Sequence, residues 1–187
     1  PYSPSSRRWL NVIYIDVQQV TGYEQCSVTQ QLVNSDAFQT QLNAAKSVAE
    51  VDYASVMELK LKALKPLYQH FVKHEIANNS DLAKKFAEFK LNGEESLIQA
   101  ATYDAIQDKF KADGRFIGDN WGWPVWPQEF QDYDSATVVK FKQDNAELVD
   151  FYAYLQFVAF TQLEEVNEFS KAQGMAMGTY RDLAVGV

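Results

Sequence analysis

Two carboxylates stand apart from the rest of this sequence, because Asp16 and Asp182 each sit within or beside an apolar run while most other acids are spread over helix surfaces. Glycosyl transfer needs only two carboxylates flanking the scissile bond, one as acid/base and one as nucleophile or base. In a parallel α/β barrel, residues at the C-terminal ends of strands face the active site. A loop or cap role is the stronger reading of Asp16. For Asp182, with Arg181 beside it, a structural ion pair competes with a role in a pocket. His70 and His74 are the only histidines; their i, i+4 spacing suits one metal, but no third ligand or HExxH context completes a site, so a solvated helix end is favoured. Two histidines so placed leave no Ser-His-Asp or Cys-His arrangement. Gly22, Gly93, Gly114 and Gly118 are isolated turn glycines, not a phosphate loop. Trp121-Gly122-Trp123-Pro124-Val125-Trp126-Pro127 could stack sugar rings, though core packing of the tryptophans is the better reading.

The elements that would position these groups follow from the spacing. Leu10-Asn11-Val12-Ile13-Tyr14-Ile15-Asp16-Val17 reads as a strand buried on both faces, and Met175-Ala176-Met177-Gly178-Thr179-Tyr180 with Leu183-Ala184-Val185 reads as a second. Between them the period becomes helical. A weak helix is predicted over 35–45, then a face of Met57, Leu61, Leu64, Tyr68 and Phe71, with Pro66 expected to kink it. Ser80 is a candidate cap for a helix bearing Leu82, Phe86 and Phe89 that stops at Asn92-Gly93; another runs over 94–112. After the aromatic loop, Asp134-Ser135 opens the longest helix, 136–172. Its apolar stripe is Phe141, Leu148, Phe151, Leu155, Val158, Val166 and Phe169, broken only by Gln162.

Composition narrows the partners. With 17 Lys plus Arg against 25 Asp plus Glu the net charge is −8, which gives no footprint for nucleic acid or an anionic membrane surface. A hydrophobic content of 47% and a length of 187 residues suit one folded domain. One cysteine, Cys26, permits no internal disulfide and suits a reducing, cytoplasmic compartment. Pro1 at the start and the apolar end Ala184-Val185-Gly186-Val187 suggest a piece of something longer.

Four blocks carry a resemblance: Ser3-Pro4-Ser5-Ser6-Arg7-Arg8-Trp9 running on to Val17, then Val51-Asp52-Tyr53, then 121–127, then Tyr180-Arg181-Asp182-Leu183-Ala184-Val185-Gly186-Val187. In order and spacing the chain resembles the bacterial 4-α-glucanotransferases of the amylomaltase, or MalQ, family. The resemblance implies a mainly α-helical chain with a few short parallel strands, a fragment of a (β/α)8 TIM barrel carrying a helical insertion. Residues 1–23 would be a barrel strand and substrate-side loop, 24–172 the helical insertion, and 173–187 the next strand. It further implies retaining transfer of α-1,4-glucan segments between maltodextrins, without a cofactor. The nucleophile and acid/base of that family would lie beyond Val187, so no catalytic residue is expected here and the isolated chain should be inactive. Asp182 and Tyr2 map onto substrate-binding positions. The remainder of the barrel is the expected partner, and exposed strand edges could drive non-native oligomers. A helical carbohydrate-binding or protein-interaction module without chemistry is the alternative.

Overall fold

The computed structural model describes residue 6, residues 8–115 and residues 122–180. Its elements are helices: α1 (Ser27–Val33), α2 (Asp36–Ser47), α3 (Tyr53–Phe71), α4 (Asp81–Ala112), α5 (Ala136–Asp144) and α6 (Ala146–Ala172), joined by short 3-10 turns and a π turn at Val72–Ile76. The starts are written locally. Ser35 accepts from the Phe38 amide, Asp52 from Ser55, Ser80 from Ala83 and Ser135 from Val138, at 3.0–3.3 Å. Each such cap is worth about 1 kcal/mol.

The expected strands are absent among the described residues, so the reading as a TIM-barrel fragment with parallel strands is corrected to a helical chain. Residues 10–17 fold into 3-10 turns, Val12–Tyr14 followed by the start of Val17–Gln19. Tyr14 and Ile15 donate to Asn11 and Val12 carbonyls at 3.2 Å. A strand must satisfy its backbone groups on a neighbour; with no neighbouring strand in the described chain, local i to i+3 bonds take over. After α6, Gly174 and Gly178 stand at φ 93° and 69°, and the Gly178 amide closes a turn on Met175. Residues 183–185 lie outside the described residues.

One further boundary differs from expectation. The helix predicted over 136–172 is two helices, because Asn145 leaves helical geometry at φ −123° and both its amide groups donate to the Phe141 carbonyl. Side chains that bond nearby backbone in this way compete with helix continuation. The predicted face from Met57 to Phe71 lies on one helix, α3, which carries Pro66 in its interior. The break expected after Gly93 is present as a kink at Glu94, whose φ of 48° and ψ of −150° are strained for a residue with a Cβ.

The chain forms two compact units, Pro1–Lys85 with Phe157–Val187, and Phe86–Gln156. In the first, Phe38, Leu59 and Ala63 pack with Val17, Leu32, Val33, Leu42 and Ala45, and the far end of α3 buries Leu64, Leu67, Tyr68 and Phe71. In the second, α4 buries Leu97, Ala101, Ala105, Ile106 and Phe110, and a run of ring contacts links Tyr103, Trp126, Phe110, Phe130 and Phe141. No helix among the described residues is long and apolar enough to cross a membrane.

Candidate functional site

Within the first unit, the turns at 11–19 are built by their own side chains. Asn11 accepts from the Ile13 amide and Asp16 Oδ1 from the Gln18 amide at 3.0 Å, so the Asp16 carboxylate is a cap, as the stronger sequence reading had it. The backbone of Asp16 is held from far along the chain. Its amide donates to Gln162 Oε1 at 2.9 Å and its carbonyl accepts from Gln162 Nε2 at 2.8 Å. One side-chain amide thus forms a two-point clamp across 146 residues. Lys60 of α3 donates to the adjacent Ile15 carbonyl at 2.5 Å. Burial pushes the Lys60 ammonium below its ordinary pKa, and the charge of Asp16 works against that fall.

The clamp fixes one wall of an open cleft of about 610 Å³. Leu10, Asn11, Tyr14, Ile15, Asp16 and Gln19 line one side. Ala159, Gln162, Leu163, Glu165, Val166 and Phe169 of α6 line the other. The walls are mostly apolar, with Asp16 and Glu165 as the two carboxylates. Among the described residues no histidine, cysteine or lysine lines the cleft.

The other residues singled out by sequence are placed as follows. His70 and His74 face each other with ring centroids 4.3 Å apart, at the end of α3 and in the π turn. Burial lowers the His70 pKa, and His74 lowers it further. Among the described residues no group of three ligands could hold a metal ion. Cys26 is buried and shares a hydrogen bond with Thr29 at 3.2 Å.

In the second unit the aromatic loop divides its tryptophans. Trp126 is buried, stacks on Tyr103 at 5.0 Å and donates from Nε1 to Gln107. Trp123 is exposed, and Trp121 lies outside the described residues. Gly122 is required where it stands: its φ is 90°, its amide donates to Gln107, and a Cβ would meet the Tyr103 hydroxyl at 3.1 Å. Asp182 and Tyr2, the substrate-binding candidates, both lie outside the described residues.

Sequence reasoning missed three groups. Gln162 announced itself only as the polar break in an apolar stripe. Lys60 gave no signal. Asp104 follows Leu97 and Ala101 at helical spacing on α4, and its burial holds the carboxyl at about 7. Tyr103 and Tyr152 are pushed up in turn by burial, with the charge of Asp104 adding to both and that of Asp108 to Tyr152.

Comparison with known proteins gives one family. A family model described as 4-alpha-glucanotransferase matches residues 1–187. A 4-alpha-glucanotransferase of Haemophilus influenzae is 32% identical over 185 residues, covering 99% of this chain and 26% of the relative. Those of Mycobacterium bovis and Mycobacterium tuberculosis strain H37Rv are each 27% identical over 191 residues, covering all of this chain and 24% of theirs. The chain therefore spans about a quarter of the length of these curated relatives.

Proposed function

The chain belongs to the 4-alpha-glucanotransferase family, and on that footing we propose that it serves as the helical part of an enzyme moving α-1,4-glucan segments between maltodextrins. The observation that carries this reading is the family match over all 187 residues. Transfer would run by the retaining route, in which one carboxylate attacks the anomeric carbon, a second protonates the leaving oxygen, and an acceptor sugar then replaces water in the second step. In this reading both carboxylates stand on polypeptide outside these 187 residues, and the chain by itself is inactive. Asp182 and Tyr2 are the substrate-side contacts it contributes. Asp182 would accept hydrogen bonds from sugar hydroxyls, contacts that raise turnover if they tighten in the transition state. No cofactor enters, because carboxylate chemistry supplies both steps.

Maltotriose disproportionation tests the reading. The longer polypeptide carrying these residues should release glucose and make longer products, and the 187-residue chain should make neither. Transfer by the short chain would overturn the claim of inactivity, while glucan binding without transfer by the longer polypeptide would favour a non-catalytic binding module. In the longer polypeptide Asp182→Asn should lower turnover with little change in melting temperature; wild-type turnover would remove Asp182 from the site.

A further inference from the structure

The aromatic loop of the second unit is pinned on both sides of a tryptophan that it leaves in solvent. Gln107 Oε1 accepts from the Gly122 amide at 3.1 Å and from Trp126 Nε1 at 3.2 Å, which fixes the residues before and after the Trp123–Val125 turn. Gln131 Nε2 donates to the Trp126 carbonyl at 2.8 Å and to the Pro124 carbonyl at 3.4 Å. Inside the turn the Val125 and Trp126 amides close on the Gly122 and Trp123 carbonyls, and the Pro124 ring holds its own φ. Trp123 is nonetheless 55% exposed, and its indole N–H has no partner among the described residues. Tryptophan is on average highly buried, and its N–H finds an acceptor when it is. A loosely held loop would let such a ring fold back onto the surface; this one presents it at a fixed place.

Charge and area narrow what the ring receives. From Gly122 to Val139 the sequence carries Glu129, Asp132 and Asp134 and no Lys or Arg, which disfavours phosphate-bearing ligands such as nucleotides and suits a neutral one. Trp123 and its exposed neighbour Val125 make a small patch, far below the roughly 800 Å² per partner that a stable protein interface takes. One pyranose ring, by contrast, matches one indole face: its C–H bonds lie against the π surface, and its hydroxyls project past the rim, where Nε1–H donates. Gln128 and Glu129, both exposed in the following 3-10 turn, add hydrogen-bonding groups to the same loop. From the pinned turn and the unpaired, exposed indole, and resting on the reading proposed above for the class of sugar, we infer that Trp123 is a stacking platform for α-1,4-glucan. The platform holds a glucosyl ring and breaks no bond. Because the loop is already ordered, binding loses little conformational entropy on the protein side.

Oxidation of the indoles by N-bromosuccinimide in the longer polypeptide tests it, read residue by residue by mass spectrometry. Trp123 should react fast without glucan and slow about sixfold at a maltoheptaose concentration about five times the Kd read from the same titration, as mass action requires. Trp126, being buried, should react slowly with or without glucan. A Trp123 rate that maltoheptaose leaves unchanged overturns the inference. So does a Trp123 already slow without glucan: slowness lost on dilution assigns the face to a second copy, and slowness kept on dilution assigns it to the rest of the polypeptide. Trp123→Ala should weaken retention of the longer polypeptide in native gels containing glycogen by roughly fivefold to tenfold, and Trp123→Phe should recover part of that loss. Equal retention of wild type and Trp123→Ala is a second refutation. Transferase activity with no protection of Trp123 sinks the platform alone, whereas protection in a polypeptide that lacks transferase activity sinks the proposed function and leaves the platform standing.

Discussion

Replacing Asp104 with asparagine should uncouple the stability of the Phe86–Gln156 unit from pH. Burial raises this carboxyl from 3.8 to about 7. At about 1.4 kcal/mol per pKa unit, the ionised form costs up to about 4 kcal/mol relative to the protonated one. The folded value lies above the unfolded one, so the folded chain takes up the proton more readily. The associated stability is complete below about pH 4 and is lost as pH rises through about 7. Between pH 5 and pH 8 the wild-type chain should therefore lose roughly 3 kcal/mol through this group. Tyr103 and Tyr152 beside it are pushed upward by burial and stay protonated through that window, so they add no slope. Asp104→Asn is neutral, nearly isosteric and should lose none of it. Urea denaturation of the 187-residue chain at both pH values reads the difference, and at pH 8 the variant should melt roughly 6–12 °C above wild type relative to their order at pH 5. If wild type and variant show the same change between the two pH values, Asp104 ionises freely and the argument from burial fails.

Two further outcomes are expected. Gln162→Leu removes both arms of the clamp, leaving the exposed Asp16 amide to water and its carbonyl to the Gln19 amide, at a cost of about 1 kcal/mol in urea unfolding; unchanged hydrogen exchange at the Asp16 amide would show that the clamp does not form. Glu94→Gly puts the residue without a Cβ at the left-handed kink and should raise stability by about 1 kcal/mol after glycine's own entropy cost, so a fall in melting temperature would place the value of the site in the glutamate side chain.

The positions of the helices were legible because the signals that start and stop them are local. Ser80 and Ser135 cap the helices that follow them, and the spacing of Leu64, Tyr68 and Phe71 on α3 and of Leu97, Ala101 and Ala105 on α4 matches what is buried. The cap role of Asp16 needed only the residue two places on. Family membership was legible for the same reason, since blocks such as 51–53 and 121–127 are recognised as strings.

What the sequence left open depends on partners distant along the chain. An apolar β-branched run such as residues 10–17 has the composition of a strand, but strand or 3-10 turn is decided by whether a neighbouring strand stands beside it. Gln162 reads as a flaw in a stripe until its amide meets the Asp16 backbone, 146 residues away. Trp123 and Trp126 are indistinguishable by type, and only the Tyr103 face and Gln107 carbonyl oxygen waiting at one of them put it in the core. Local spacing determined which residues turn into helices and which side of each helix is apolar. The tertiary structure decided which apolar sides are covered and which polar groups are paired, because burial is a property of everything packed around a residue and hydrogen-bond partners reach across the chain without leaving a mark in the residues next to them.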